Sequence, residues 1–320
     1  MLERAARQDR SLTERRSAAV RRLAALAALA VAAAGCAARA GELPGAGAGA
    51  PARAARAGEA PSAATAERLF REAESLASRR RAIGVQLFVL DEAAQAGAAG
   101  ATGERGAARR AALEAEAARV QARTVAAYAA LVDAPALRAA KQRPPALLGL
   151  ARALQDSGDL RGAEARLRQL AVEHPASGEA LEAHLALANL AFAAGRLDEA
   201  VSACDAALRG AAPHALRKRA LYVKSWSLRG LGGGAATDEA MRALRAIVQL
   251  GPARAGSPEA AIDEAAEREL VELYAAHGDL DQARAFFAGA GDRAGPRLLG
   301  EVEARAARLR RGEPLDRPAL

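Results

Sequence analysis

A ten-residue phrase occurs three times in this chain and constrains its fold more than any other feature. It reads GDLRGAEARL from Gly158, GRLDEAVSAC from Gly195 and GDLDQARAFF from Gly278. In each copy an Ala follows the Gly by five residues and a large apolar or thiol side chain follows that Ala by four, so both lie on one helix face. The Gly supplies the turn out of the preceding helix. Because one such unit cannot bury its apolar face alone, the copies are predicted to stack into a binding surface rather than a catalytic cleft.

Apolar residues at fixed distances from these glycines outline two helices in each unit. The first unit runs from about Pro144 to Pro175. The predicted core positions of the three units are Leu147, Leu150, Ala151, Leu154, Ala163, Leu167 and Leu170, then Leu187, Ala188, Ala191, Ala200, Cys204 and Ala207, then Leu270, Val271, Tyr274, Ala283 and Phe287. A further hairpin lies between the second and last units, and its turn is enlarged by Gly232, Gly233 and Gly234.

The order of residue types in these units resembles the tetratricopeptide repeat, which reads large, Leu, small, large, Gly, Ala, large, Pro. The last unit also carries an aromatic residue, Tyr274, where this family places one on its first helix. The resemblance implies an all-α fold, a right-handed solenoid of antiparallel helix pairs. The alternative is a different helical bundle that is rich in Ala.

The N-terminus carries a second pattern. Arg21 and Arg22 precede an uncharged run, residues 23–34, which is followed by Gly35 and Cys36. A basic patch, a short apolar segment and small residues before a cleavage point are typical of a secretory signal. The segment resembles a bacterial lipobox, and this resemblance implies cleavage between Gly35 and Cys36 with lipid attached to the Cys36 thiol.

Two alternatives for this segment are a transmembrane anchor and an uncleaved Ala-rich helix. The apolar run is short for a membrane span, which needs about 20 residues. Glu3, Asp9 and Glu14 are unusual in a signal. A start at Val20 instead of Met1 would leave an ordinary lipoprotein leader.

Composition shifts along the chain predict its organisation. The predicted segments are a signal peptide over 1–35, a flexible Ala, Gly and Pro-rich tether over 36–63, degenerate helical hairpins over 64–143, the repeat solenoid with a capping helix over 144–311, and a frayed tail over 312–320. Within the hairpin segment, a helix is predicted over 65–80, the second half of a hairpin over 82–93, and a long helix over 107–132. The capping helix is predicted over 297–311.

Charge and cysteine content bear on two properties, namely nucleic-acid binding and disulfide formation. The formal net charge is +8, but residues 1–35 hold seven Arg and three acidic residues, so about half of it belongs to the predicted leader. No basic stripe is interleaved with aromatic residues, so nucleic acid is not predicted as a partner. There are two cysteines. With Cys36 committed to lipid and Cys204 in a core position, no disulfide is expected.

Residue types that carry catalysis or bind metals lack the required spacing. The histidines, His174, His184, His214 and His277, are far apart in the sequence. The GLGGG run at Gly230 lacks the strand-then-helix context of a cofactor turn. Acidic residues recur at helix starts, where capping explains them. We therefore predict neither an enzyme, nor a cofactor, nor a metal site.

The repeat resemblance implies a partner-binding surface on the first helix of each pair. The positions it assigns to this surface are Arg152, Gln155, Glu182, Asn189, Phe192, Tyr222, Trp226, Arg229, Arg268 and Glu272. A mixture of Arg and aromatic residues is typical of interface anchors, and such a groove accepts an extended or helical peptide. The alternative is that Tyr222 and Trp226 only fill the wedge between hairpins.

Residues 120–290 also resemble, in the succession of their segments, tetratricopeptide lipoproteins of myxobacterial gliding-motility machinery and repeat proteins of the Tol–Pal and outer-membrane-assembly systems. This resemblance implies a scaffold that is lipid-anchored to the outer membrane, faces the periplasm and binds envelope proteins. An accessory lipoprotein that binds peptidoglycan or another glycan is the alternative. A cytoplasmic repeat protein with an unmodified Cys36 is a third interpretation.

Overall fold

The computed structural model describes residues 63–98, 100–277, 280–289 and 294–312, and every regular element in these ranges is helical. The α-helices are α1 Ala63–Gln95, α2 Gly103–Val132, α3 Arg143–Asp156, α4 Leu160–Glu173, α5 Gly178–Ala193, α6 Leu197–Leu208, α7 His214–Leu231, α8 Gly234–Gln249, α9 Pro258–His277, α10 Leu280–Ala288 and α11 Ala294–Arg310, with a 3₁₀ turn at Pro135–Leu137. Helices that follow one another in the sequence pack together from α1 to α4 and again from α6 to α11. The all-α prediction is thereby confirmed.

The described residues form two compact units, an N-terminal unit of residues 63–183 and a C-terminal unit of residues 184–312. The predicted signal, most of the tether and all but one residue of the tail, Gly312, lie outside the described residues, as do Cys36 and Gly278. Within those residues, none of the helices combines the length and the apolarity that crossing a membrane requires.

The N-terminal unit begins with two long helices rather than with short hairpins. The prediction of a break near residue 81 is wrong, because α1 continues from Ala63 to Gln95. Leu76, Ile83 and Leu90 are buried at intervals of seven residues, which keeps one side of an unbroken helix in contact with its neighbour. The core between α1 and α2 includes Leu76 and Ile83 of α1 and Ala117 and Val120 of α2.

The first repeat unit forms the predicted hairpin of α3 and α4. Gly158 makes its turn with a φ of 84°, which is favourable only for a residue without a Cβ. Asp159 caps α4, because its carboxylate accepts a hydrogen bond from the Gly162 amide at 2.9 Å. Of the seven predicted core positions, only Leu154 is not fully buried.

The C-terminal unit also has glycines with positive φ in the turns before its helices. Gly195 adopts a φ of 74° before α6. In the enlarged turn, Gly232 and Gly233 have φ values of 77° and 86°, and α8 begins at Gly234. The final helix, α11, starts three residues before the predicted position.

Two positions of the repeated phrase are buried in all three copies. The Ala five residues after each Gly, at Ala163, Ala200 and Ala283, has no exposed surface. The next position on the same face, at Leu167, Cys204 and Phe287, is buried as well. A buried thiol at Cys204 was predicted from its place in the repeat, and the structure confirms it.

Candidate interaction surface

In the N-terminal unit, the predicted surface positions lie on α3 and the start of α5. The Arg152 side chain is exposed and forms an ion pair with Glu182, while Gln155 is half-buried. The Arg152 guanidinium group therefore already has an acidic neighbour on α5, the first helix of the following pair. An incoming carboxylate would compete with Glu182 for Arg152.

In the C-terminal unit, two predicted anchors are buried. Tyr222 is 4 % exposed and Phe192 is 8 % exposed. The prediction that these rings face a partner needs correction. Packing the two rings between helices removes apolar surface from water, which is favourable. For Tyr222, the alternative in which the ring fills space between helices describes its position in the structure.

The Tyr222 hydroxyl has a specific partner on α9. It donates a hydrogen bond to Oε1 of Glu269 at 2.8 Å, and Arg229 donates to Oε2 of the same carboxylate at 2.7 Å. Arg229 also lies over the Trp226 ring, at 4.9 Å from its centroid. Tyr222 and Trp226 meet edge to face, with their centroids 6.4 Å apart. We call these residues, Tyr222, Trp226, Arg229 and Glu269, the Glu269 cluster.

Burial shifts the pKa values of two groups in this cluster. Removal from water raises the pKa of Glu269 above its ordinary value, and this outweighs the opposite effects of Arg229 and of the Tyr222 hydrogen bond. Burial also raises the pKa of Tyr222, and the nearby Glu269 charge adds to this shift. The cluster ties α7 to α9 and leaves only parts of Trp226 and Arg229 accessible.

The remaining positions form a polar surface. Arg268 is exposed, Asn189 is half-buried, and Glu272 accepts a hydrogen bond from Arg305 of α11 at 3.3 Å. Two of the ten predicted surface positions, Arg152 and Arg268, are thus exposed, and Phe192 and Tyr222 are buried. The others are half-buried, namely Gln155, Glu182, Asn189, Trp226, Arg229 and Glu272.

Sequence reasoning missed Glu269, although the sequence holds a signal for it. Glu269 follows Ile262 by seven residues and Ala266 by three, so it occupies the spacing of a core position on α9. A carboxylate at such a position needs a donor from another helix. The sequence does not identify that donor, because Tyr222 lies 47 residues away.

A second buried polar group was also missed. The Lys218 side chain on α7 donates to the Asp263 carboxylate at 2.5 and 2.7 Å and to the Gly251 carbonyl at 2.6 Å. Asp263 also accepts a hydrogen bond from the Ala253 amide at 2.7 Å. These contacts fasten the connection between α8 and α9 to α7.

Histidines and acidic residues do not converge in the part of the chain that the structure describes. No group of three or more His, Cys, Asp or Glu residues there is arranged to hold a metal ion. His184 is half-buried, and burial lowers its pKa, as does the charge of Arg209.

Comparison with known proteins gives no relative. No protein-family model, curated protein sequence or solved structure matches this chain.

Proposed function

We propose that this chain is a bacterial lipoprotein that is anchored to the outer membrane through Cys36, faces the periplasm and acts as a scaffold for an envelope protein complex. The observation that carries the scaffold role is the burial of the same two positions in each of three Gly-led units. Units that bury equivalent faces form extended surfaces, and such surfaces bind partners. The membrane location is proposed from the segment Arg21–Cys36 alone.

The proposed fold is a right-handed solenoid of tetratricopeptide repeats. Supporting it are the helix pair α3 and α4, the left-handed glycine conformation before α4 and α6, and the packing of α7 with α8. In this arrangement the first helices α3, α5, α7 and α9 would carry the partner surface.

The proposed partner is a peptide or helix of another envelope protein. The accessible part of the surface offers guanidinium groups at Arg152 and Arg268 and part of the Trp226 side chain. Arginine and tryptophan are enriched among residues that dominate binding energy. The acidic neighbour of Arg152, Glu182, favours a partner that carries both charge signs.

A glycan-binding lipoprotein is the alternative function. Sugars stack on exposed aromatic faces, and the sequence offers Phe192, Tyr222 and Trp226 for this purpose. Phe192 and Tyr222 are buried, and Arg229 lies over the Trp226 ring. This burial favours a protein partner over peptidoglycan.

The anchor is tested by mass spectrometry of the N-terminus of the protein from its own cells, beside a Cys36→Ala variant. We expect a chain that begins at acylated Cys36, and a variant that is neither acylated nor retained in the membrane fraction. An intact leader with a free Cys36 thiol would contradict the lipoprotein proposal and would direct the search for partners to the cytoplasm.

The partner surface is tested by placing a photo-crosslinking amino acid at Arg268 in living cells, with the same substitution at Val172 as the control. Val172 is exposed on α4, a second helix. We expect a discrete crosslinked species from position 268 only. Equal crosslinking from both positions would count against a dedicated surface, and binding of purified peptidoglycan that Trp226→Ala abolishes would favour the glycan alternative.

A further inference from the structure

Helix α1 exposes three large apolar side chains within five positions. Val85 is 60 % exposed, Phe88 is 64 % exposed and Val89 is 58 % exposed. Their spacing of three and four residues places them on one helix face. The other exposed large apolar residues of the described chain are far from these in sequence, namely Leu160, Val172, Leu231 and Leu309. Contiguous exposed apolar surface of this kind marks a place of association.

This apolar stripe, Val85, Phe88 and Val89, is not the face that α1 uses within its own unit. The opposite face carries Ile83 and Leu87, which belong to the core shared with α2. A helix on the surface of a folded unit needs only one apolar face. The stripe is therefore a second apolar face, and burial on its own unit does not explain it.

Charged residues border the stripe with opposite signs at its two ends. Arg81 precedes Val85 by four residues and Glu92 follows Phe88 by four, so all four residues share one face, and both charged side chains are exposed. The Arg81 guanidinium donates to Ser78 of the same helix at 2.9 Å. Within the described residues, the Glu92 carboxylate takes part in no ion pair.

We propose that the stripe binds a second copy of this chain, with the two α1 helices antiparallel about a two-fold axis at the level of Gln86 and Leu87. Val85 and Phe88 are equidistant from this axis, and so are Arg81 and Glu92. Each Val85 then contacts Phe88 of the other copy, and each Arg81 meets Glu92 of the other copy. A two-fold interface needs one self-complementary surface, and this face has that property.

Other arrangements lose this complementarity. Parallel helices would bring Arg81 next to Arg81 and Glu92 next to Glu92, and like charges at an interface are unfavourable. Helices that lie in a membrane surface carry basic residues along their polar border, whereas this stripe is bordered by Glu92 as well as by Arg81. A second copy supplies both the apolar cover and the opposite charge.

The dimer is tested by sedimentation equilibrium of the full chain, with all variants in a Cys36→Ala background so that lipid attachment plays no part. We expect a monomer–dimer equilibrium and a dissociation constant that Phe88→Ser raises by about tenfold or more. Val172→Ser is the matched control, because Val172 is 80 % exposed outside the stripe. It should leave the dissociation constant unchanged. A wild-type chain that stays monomeric, or a dimer that tolerates Phe88→Ser, would overturn the proposal.

Charge reversal tests the antiparallel orientation. Arg81→Glu and Glu92→Arg should each weaken the dimer, because each places like charges opposite one another, and the double variant should recover the wild-type dissociation constant. In a parallel dimer neither the single losses nor the recovery would occur. Circular dichroism of each single variant checks that it folds, and failure of the double variant to recover would overturn the antiparallel arrangement.

Discussion

Lys218 illustrates how single buried charges hold the C-terminal unit together. The residue is 3 % exposed and its ammonium group contacts Asp263 and the Gly251 carbonyl. Removing the Lys218 ammonium group leaves the largely buried Asp263 carboxylate without its charge partner, so we expect Lys218→Met to lower the free energy of unfolding by about 3 kcal/mol. Urea denaturation measures this value. Arg217→Met, at the exposed neighbouring position, is the control, and a similar small loss in both variants would contradict the prediction.

Cys204 provides a chemical probe of folding. Its side chain is buried, and burial raises the pKa of the thiol to about 12. Because the thiolate is the reacting species, we expect the thiol to react with a disulfide reagent only after unfolding. The rate is measured on a Cys36→Ala variant, which leaves Cys204 as the single thiol, with the urea-unfolded sample as reference. Comparable rates in the folded and unfolded samples would show that the position is accessible.

The raised pKa of Glu269 predicts a pH dependence of stability. Between the ordinary value of 4.5 and the higher pKa in the folded chain, the folded state binds more protons than the unfolded state. The contribution of Glu269 to stability therefore falls as pH rises through this window. In urea unfolding at a series of pH values, the advantage of the wild type over Glu269→Gln should decrease from pH 4.5 upwards. An advantage that grows over this range would refute the shift.

Glu173 serves as the control of opposite sign. A hydrogen bond from Arg143 lowers the pKa of its carboxyl below 4.5, and one from Gln169 adds to this effect. Its stabilising contribution is present above pH 4.5 and is lost as pH falls through the lowered pKa. The advantage of the wild type over Glu173→Gln should consequently shrink on acidification.

At the scale of helices, Gly149 permits the close approach of α3 to α2. A Cβ at this position would lie 2.5 Å from Cζ of Tyr128, a buried ring whose hydroxyl donates to Glu74. We expect Gly149→Ala to destabilise the chain by about 2 kcal/mol, because the ring has to move. Gly300 in α11 has open space around it, so Gly300→Ala should stabilise by about 0.5–1 kcal/mol through helix propensity. Urea denaturation compares the two, and stabilisation by both would show that the Tyr128 ring gives way freely.

The sequence allowed prediction of those elements whose signals are local. Gly158 and Gly195 mark turns because positive φ excludes most side chains, and the Ala and Leu spacing after them places the buried face. The prediction of a break near residue 81 was wrong because the exposed stripe around Phe88 has the apolar spacing that the buried face of a second helix would have. Periodicity reports an apolar face and does not report what covers it.

The candidate surface was less predictable because it depends on pairs that are distant in sequence. Tyr222 was assigned to the surface from its repeat position, yet its hydroxyl is buried where it donates a hydrogen bond to Glu269 of another helix. The Lys218 ammonium group likewise donates to Asp263, which lies 45 residues further along the chain. A repeat pattern fixes which helix a residue occupies, while the depth of a polar side chain depends on the donor or acceptor that meets it.

At the scale of the whole molecule, much of the positive charge is dispersed among ion pairs. Many arginines in the described residues meet an acidic residue of another helix or connection. These pairs are Arg79 with Glu116, Arg110 with Asp91, Arg143 with Glu173, Arg152 with Glu182, Arg166 with Asp133, Arg284 with Glu303, Arg297 with Glu267 and Arg305 with Glu272. Positive charge that is paired in this way does not accumulate into a stripe that follows a phosphate backbone.

This dispersal predicts that the chain does not bind DNA despite its net charge of +8. Non-specific binding requires cations that release counterions from several neighbouring phosphates, and it weakens steeply as salt increases. In fluorescence anisotropy with a short labelled duplex, we expect no saturable binding at physiological salt, either for the full chain or for the form that starts at Cys36. Lysozyme, a basic protein with a different fold, is the control, because its binding at low salt measures the effect of positive charge alone. Tight binding that persists at physiological salt would contradict the prediction and would reassign the exposed Arg152 and Arg268 from protein partners to phosphate.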